Sequence, residues 1–354
     1  MTKRMTRRRL LEVLAGLPFV SAIVPSASTS VRAQSPPAAR VRPGDPGWPS
    51  DAAWAELNHQ VQGRLMKVQS PLIACLDAPS STACAQIFSE LKNPYYLGDE
   101  VGLTQSLGWV GAWTSRPSVY AVAAETTQDV VAAVNFARTN NLRLVVKGGG
   151  HSYKGTSNAA DSLLIWTRHM NAIVVHDAFV GAGCEGRSEP QPAVSIEAGA
   201  YWRQAYDAVT TKAGRYVQGG GCMTVGVAGL VLGGGFGSFS KAYGLAGANL
   251  IEAEVVTADG DAKIANACRN PDLFWALKGG GGGFGVVTRV TLRTHSLPEF
   301  FGGVFATIKT ASDDAYRRLI AKTVEFYAQA LFNALFDPLL CRAALVVEGD
   351  DTLG

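Results

Sequence analysis

The sequence has few charged residues, little net charge and few histidines. Only 17% of the 354 residues are charged, the formal net charge is +3, and there are five histidines. Residues 1–33 hold six basic side chains and one acid, so the rest of the chain carries 26 basic and 28 acidic side chains. A near-neutral chain gives no electrostatic reason to expect nucleic acid or an anionic membrane as a partner. We also expect no metal site.

The N-terminus lacks an apolar run long enough to span a membrane, but it is typical of an export signal. Thr6–Leu11 (TRRRLL) is a twin-arginine pattern, and the apolar run after it is interrupted by Glu12 and Pro18. That run is shorter than the about 20 residues of a spanning helix. Val31–Ala33 offers small residues for cleavage, so we expect a signal peptide at 1–33 and a periplasmic or secreted protein. The alternative is a basic disordered tail.

The six cysteines are expected to lie in an oxidising compartment. Cys75 and Cys84 are nine residues apart around a polar loop, and we predict a disulfide between them. Cys184 and Cys268 could pair or could be small buried residues, and the sequence leaves both possibilities open.

Residues 34–115 are predicted to form an N-terminal extension. A segment rich in Pro and Gly precedes Ser50, a plausible N-cap, and apolar residues then repeat at helical spacing from Trp54 to Leu65. The segment at 70–115 is irregular, with Trp109 and Trp113 as anchors, and we find no chemistry in it.

From Pro117 onward the pattern alternates between strands and helices. Val119–Ala123, a helix N-capped at Thr127 and ending near Asn140, and Leu142–Val146 predict a β-α-β unit. Further elements are predicted at Leu163–Trp166, Ile173–Val175, Val194–Glu197, Tyr201–Ala213 (helix), Ile251–Thr257, Ala262–Ala265, a helix opened by Asn270-Pro271, Val286–Arg293, Phe301–Lys309 and Asp313–Phe332 (helix).

Three glycine triplets punctuate this region. Gly148–Gly150 runs into His151, Gly219–Gly221 runs into Cys222, and Gly233–Gly235 follows. Because glycine weakens helices and strands, a triplet indicates positive φ or close approach of the backbone to a bulky group. Successive free N–H groups in such turns suit a pyrophosphate. His151 and Cys222, which directly follow the first two triplets, both have nucleophilic side chains.

A nicotinamide site is not favoured. Gly280–Gly285 matches G-x-G-x-x-G, but a helix precedes it and a strand follows. This is the reverse of the strand-turn-helix order that places a pyrophosphate on a helix N-terminus.

The motifs GGGHSYKG, GGGCMTVGVAGLVLGGGFG and Tyr243-Gly244-Leu245 resemble the FAD-linked oxidases of the vanillyl-alcohol-oxidase superfamily. Within it, the sequence is most similar to the berberine-bridge-enzyme-like and oligosaccharide-oxidase branch, over roughly residues 115 to 298. The resemblance implies FAD bound through two covalent links. His151 would attach to the methyl carbon of the benzenoid ring and Cys222 to the neighbouring ring carbon.

The resemblance also implies the other cofactor-binding residues. They are Lys147, Gly148, Gly149, Gly150, Ser152, Gly155, Gly220, Gly221, Thr224, Val225, Gly226, Gly229, Gly233, Gly234, Gly235, Gly237, Gly244, Leu245 and Val286.

The sequence departs from the family pattern at four positions. Met223 stands where Pro is common, Gly247-Ala248-Asn249 lacks the acid usual shortly after Gly-Leu-Ala, Gly283 replaces an Asn or Ser, and Lys147 replaces an Arg. Lys147 could still neutralise the pyrophosphate.

The resemblance implies an α+β fold with a PCMH-type FAD-binding domain of two α/β subdomains at 116–298. The start of an antiparallel-sheet substrate domain would follow at 299–354. The stretch from Asn333, including Cys341, is dissimilar to the family, so we expect either a compact variant or, preferably, a truncated or frameshifted chain.

The function expected from the resemblance is that of an exported FAD-dependent oxidase or dehydrogenase. It would transfer hydride from a CH–OH group of a small-molecule substrate to flavin and pass the electrons to oxygen or another acceptor. The catalytic base is not identified. The alternatives are a flavin-binding but catalytically incomplete fragment and a reductase of the same superfamily with noncovalent FAD.

Overall fold

The computed structural model of the chain describes residues 39–297 and 308–330. The predicted signal peptide at 1–33, most of the predicted strand Phe301–Lys309 and the stretch from Asn333 with Cys341 lie outside these residues.

The described residues form twelve strands and ten α-helices. The strands are β1 (Leu65–Lys67), β2 (Gly108–Trp109), β3 (Trp113–Thr114), β4 (Tyr120–Ala123), β5 (Arg143–Lys147), β6 (Ser162–Trp166), β7 (Ile173–Phe179), β8 (Gln191–Glu197), β9 (Arg215–Val217), β10 (Leu250–Val256), β11 (Ala262–Asn266) and β12 (Val286–Ser296). The helices are α1 (Asp51–Gln60), α2 (Ile73–Asp77), α3 (Thr82–Glu90), α4 (Pro94–Asp99), α5 (Thr127–Thr139), α6 (Trp202–Tyr206), α7 (Val227–Leu232), α8 (Ser240–Tyr243), α9 (Pro271–Leu277) and α10 (Asp313–Ala330).

A four-stranded sheet delivers the first glycine loop. Its order is β1-β4-β6-β5, with β4 and β5 parallel to β6 and β1 antiparallel to β4. The fully buried side chains of Val122, Leu163 and Ile165 pack beneath α5 and α1. The predicted β-α-β unit is therefore confirmed, and the Gly148–Gly150 loop leaves the carboxyl end of β5, where ligand loops of such sheets lie.

Helix α5 begins at Thr127, the residue predicted to cap it. The N-cap is Thr126, not Thr127, and its hydroxyl accepts a hydrogen bond from the backbone N–H of Asp129. The Asp129 carboxylate accepts in return from the backbone N–H of Thr126, which completes a capping box. A charged side chain at the third helical position thus decides where the helix starts.

A second, antiparallel sheet underlies the other glycine loops. Its order is β11-β10-β12-β8-β7, and β9 pairs with the far end of β12. One face packs on Trp202, Val227 and Val231 in the largest apolar core of the described residues. The predicted hairpin at Ile251–Ala265 is confirmed as β10 and β11.

Three local details differ from the sequence prediction. The helix predicted at Tyr201–Ala213 changes at Asp207 into a π-helix that runs to Lys212. Asn270 does not cap α9 with its side chain, because its backbone is left-handed (φ 49°) and its amide donates to the carbonyl of Ile264. Residues 70–115 also contain three short helices and the β2–β3 hairpin.

Both cysteine pairs in the described residues are disulfides. The predicted Cys75–Cys84 bond is present, and Cys184 is bonded to Cys268. Cys222 is the one free, exposed cysteine of the described part of the chain. None of the helices described there is both long and apolar enough to cross a membrane.

Candidate functional site

The loop after β5 offers unsatisfied backbone donors. Gly149 and Gly150 are buried, and no acceptor among the described residues receives a hydrogen bond from the N–H of Gly149, Gly150 or His151. Gly150 has φ 76°, a conformation that turns consecutive N–H groups toward one side. Buried N–H groups are nearly always paired in folded proteins, so this loop has the chemistry of an anion site.

The loop between β9 and α7 is held from both sides. The backbone N–H groups of Trp202 and Arg203 donate to the carbonyls of Val225 and Met223, each at 3.0 Å. The hydroxyl of Tyr206 donates to the carbonyl of Gly220 at 2.6 Å. These bonds fix the backbone on either side of Thr224.

The two loops touch at Gly149. A Cβ added there would lie 2.6 Å from the carbonyl oxygen of Thr224 and 2.8 Å from the backbone nitrogen of Gly226. Only a glycine permits this approach without displacement of the backbone.

The contact brings the two predicted nucleophiles together. The Thr224 hydroxyl lies 2.9 Å from Nε2 of His151 and 3.7 Å from Sγ of Cys222. The sequence predicted Thr224 as a cofactor-binding residue, but it did not predict the contacts of its hydroxyl with both side chains. His151 and Cys222 therefore contact the same hydroxyl although 71 positions separate them along the chain.

Burial favours the neutral form of His151. It lowers the pKa of the imidazole below the ordinary value, and this effect outweighs a hydrogen bond with the Thr224 backbone, which raises the pKa. A neutral imidazole retains a lone pair and can act as a nucleophile. Cys222 is exposed and is not part of a disulfide, so its thiol is accessible.

The third triplet and the following turn extend the same surface. Gly237 lies against the second loop, since a Cβ added there would meet the carbonyl oxygen of Gly219 at 1.8 Å. The carbonyls of Gly234 and Gly235 accept from Gly247 and Ala246 at 3.0 and 2.9 Å.

Exposed apolar side chains border these loops. Met223, Phe236 and Leu245 are 48%, 76% and 43% exposed, and no heavy atom lies within 4 Å of a Cβ added at Gly221 or Gly229. Bare backbone beside apolar side chains suits a flat ring system, and the free N–H groups suit its phosphates. The residues present fit a dinucleotide flavin.

The predicted site residues lie in four adjacent segments, with two exceptions. The segments contain Gly148, Gly149, Gly150, His151, Ser152 and Gly155; then Gly220, Gly221, Cys222, Thr224, Val225 and Gly226; then Gly229, Gly233, Gly234, Gly235 and Gly237; and finally Gly244 and Leu245. Val286 is the first exception, because its side chain packs in the core beneath α5.

Lys147 is the second exception, and its predicted role is corrected. Its ammonium donates to the carbonyls of Glu100, Val101 and Leu103 at 2.9, 2.6 and 3.0 Å, and the side chain is 1% exposed. All three protons are thus used within the protein. Lys147 ties the N-terminal extension to β5 and has no proton left for a pyrophosphate.

The N-terminal extension contributes contacts that sequence reasoning missed. The N–H of Gln105 donates to the carbonyl of Gly150, and the indole N–H of Trp113 donates to the carbonyl of Tyr153, each at 3.0 Å. The Trp113 ring also packs where a side chain on Gly155 would lie. No local pattern could have signalled these contacts, because both partners lie about 40 residues away.

Asn249 stabilises the turn at Tyr243–Leu245. Its amide donates to the carbonyls of Tyr243 and Leu245 at 2.8 and 3.0 Å, and its oxygen lies 2.8 Å from Nε2 of His295. In the segment that lacks the family's usual acid, Asn249 therefore has a structural role.

Fold and site together define a flavin-binding protein, and comparison with known proteins agrees. A family model described as an FAD binding domain matches residues 118–266. The chain is similar to the FAD-linked oxidoreductase malF of Malbranchea aurantiaca, with 37% identity over 307 residues, covering 80% of this chain and 52% of that protein. It is 34% identical over 323 residues to the VAO-type flavoprotein oxidase VAO615 of Thermothelomyces thermophilus, covering 86% and 54%.

Solved structures give the same result. The crystal structure of the VAO-type flavoprotein MtVAO615 from Myceliophthora thermophila C1 aligns with a TM-score of 0.64 and 34% identity over 73% of this chain and 49% of that one. The chain belongs to the VAO-type, PCMH-type FAD-linked oxidoreductase family, and the predicted family and α+β fold class are confirmed. It spans about half the length of the curated relatives it matches.

Proposed function

We propose that the protein is an exported oxidoreductase that carries FAD on two covalent links, to His151 and Cys222. It oxidises a hydroxyl-bearing small molecule, sugar-like or a secondary metabolite. The observation that carries the proposal is the convergence of the imidazole and the thiol on the Thr224 hydroxyl. When bound, FAD supplies the acceptor for a hydride. One relative is named a flavoprotein oxidase, which supports oxygen as the final electron acceptor.

The chain's own residues bind and orient the cofactor. The free N–H groups of Gly149, Gly150 and His151 would hold its phosphates, and the apolar rim of Met223, Phe236 and Leu245 would contact its rings. Links from two loops whose backbones are fixed would restrict the motion of the bound group.

Acid precipitation tests the covalent links. Flavin absorbance is expected to stay with the pellet of the wild-type protein, to persist through one link in His151→Ala or Cys222→Ala, and to move to the supernatant in the double variant. The control is His176→Ala, whose imidazole contacts Ser195 on the second sheet. Release of all flavin from the wild-type protein would contradict the proposal of two covalent links and favour a noncovalent, reductase-type site.

Activity requires a separate test, because the chain spans about half the length of its relatives. The holoprotein is expected to bleach anaerobically with an oxidisable alcohol or sugar and to recover its absorbance in air. Flavin that stays oxidised across a panel of such substrates, in a protein that retains it covalently, would support the incomplete fragment instead.

The two disulfides support export. Cys75–Cys84 and Cys184–Cys268 would persist in an oxidising compartment and would be reduced in most cytosols. Replacing Arg7 and Arg8 together by Lys is expected to leave the protein inside the cell with its precursor length. Unchanged export of that variant would exclude the twin-arginine route.

A further inference from the structure

Thr224 is a buried polar residue whose partners are the two nucleophiles. Its exposed fraction is 2%, and among the described residues its hydroxyl hydrogen-bonds to Nε2 of His151 and Sγ of Cys222. Burying a hydroxyl is unfavourable unless it is hydrogen-bonded, so these two contacts hold the side chain in place. Its backbone is fixed by the bonds that the N–H groups of Trp202 and Arg203 make on either side.

We propose that Thr224 is the positioning residue that fixes the tautomer of His151 and orients Cys222. Nε2 is held by the hydroxyl, and no side chain of the described residues hydrogen-bonds to Nδ1. The imidazole then carries its proton on Nε2 and presents the Nδ1 lone pair to the flavin. The proposal rests on the proposed covalent function and names the residue that prepares it.

Proton counting allows the direction of the hydrogen bonds that the proposal requires. A neutral imidazole has one N–H, and a hydroxyl donates one proton while accepting others. When Nε2–H donates to the Thr224 oxygen, the threonine proton is free to donate to the sulfur of Cys222. Burial keeps His151 neutral, which maintains this order.

The substitutions that test the role are Thr224→Val and Thr224→Ser. Valine keeps the shape of threonine and removes the hydroxyl, whereas serine keeps the hydroxyl and removes the methyl group. Thr224→Val is expected to bind FAD, but its amount of acid-stable flavin is expected to be at least about tenfold lower than in the wild-type protein. Absorbance measures this amount, and the masses of the peptides that contain residues 151 and 222 show which link is missing. Thr224→Ser is expected to retain it. The proposal would be overturned if the valine variant held as much acid-stable flavin as the wild-type protein, or if both variants lost it equally.

A measurement on the full chain without flavin separates this proposal from the covalent function. Two-dimensional ¹⁵N NMR of the chain from riboflavin-starved cells reports the tautomer of each imidazole, and His151→Ala assigns the signal. His151 is expected as the Nε2–H tautomer, and Thr224→Val is expected to give a mixture. An Nδ1–H tautomer in the wild-type chain would refute the role of Thr224 even if both links form. The Nε2–H tautomer in a chain that forms no link would refute only the covalent function.

Discussion

Gly149 lies so close to Thr224 that a methyl group on its Cα would come within 2.6 Å of the Thr224 carbonyl oxygen. This contact joins the loop with His151 to the loop with Cys222. Close packing of the two backbones is the reason that position 149 requires a glycine. From the sequence alone, this reason could not be distinguished from a requirement for positive φ.

Gly149→Ala is expected to destabilise the protein by roughly 1–3 kcal/mol, because the clash is with backbone that cannot rotate away. It should also lower the yield of acid-stable flavin, since His151 moves away from Thr224. Thermal unfolding and acid precipitation measure the two effects. The control is Gly221→Ala, which meets no atom within 4 Å and should leave the free energy of unfolding within about 0.5 kcal/mol. Equal stability of the two variants would contradict the close contact.

Lys147 is expected to make stability depend on pH above neutrality. Burial lowers the pKa of its ammonium from 10.5 to about 7. Between these values the unfolded chain binds a proton that the folded chain has lost, so the free energy of unfolding rises with pH. Urea unfolding at pH 7, 8 and 9 should show this rise.

Lys147→Met should remove that rise and should lower stability at pH 7. Methionine leaves the carbonyls of Glu100, Val101 and Leu103 without their donor, at a cost of roughly 1–3 kcal/mol. Parallel pH profiles for the wild-type protein and the variant would show that Lys147 does not titrate in this window.

The sequence predicted the elements of the fold better than it predicted the contacts between them. Apolar periodicity located β4, α5 and β5, because one buried face repeats with the period of each element. The Cys75–Cys84 bond followed from the polar loop between the two cysteines. The same local signals placed β12 correctly, although it runs three residues further than expected.

The contacts that the sequence could not predict depend on distant partners. Lys147 stands where the family usually has an Arg, but its ammonium donates to three carbonyls more than 40 residues away along the chain. Thr224 was predicted only as a cofactor contact, and its contact with His151 requires the packing of two loops 73 residues apart. Side-chain direction is set by tertiary packing, which motif spacing does not encode.

The Cys184–Cys268 disulfide is expected to contribute more stability than the Cys75–Cys84 disulfide. They join residues 84 and nine positions apart, and the longer loop restricts the unfolded chain more. In the chain-entropy model the contributions are about 4–5 and about 2–3 kcal/mol. Guanidinium unfolding of the two double Cys→Ser variants measures the difference. A larger loss without Cys75–Cys84 would show that native-state effects outweigh loop length.

The Arg64–Asp129 ion pair is expected to make the free energy of unfolding sensitive to acid. An Arg64 guanidinium nitrogen lies 2.7 Å from Asp129, whose side chain is 2% exposed and caps α5. Burial raises the pKa of Asp129, but hydrogen bonds from Arg64 and from the N–H groups of Glu125 and Thr126 outweigh it, so the pKa lies below 3.8. The folded chain therefore holds its carboxylate charged where the unfolded chain begins to protonate.

Asp129→Asn should cost about 3–5 kcal/mol at pH 7, because it leaves the Arg64 charge partly buried without its close partner. The stability that the carboxylate contributes is complete above pH 3.8 and is lost as the pH falls through the lowered pKa. Unfolding measured from pH 5 to pH 2 should thus decline less in the variant than in the wild-type protein. The control is Glu125→Gln, which removes a 56% exposed carboxylate 3.5 Å from the same arginine and should cost under about 1 kcal/mol. Similar losses in both variants would mean that the helix cap and the buried pair contribute little, and that solvent screens Asp129 as it screens Glu125.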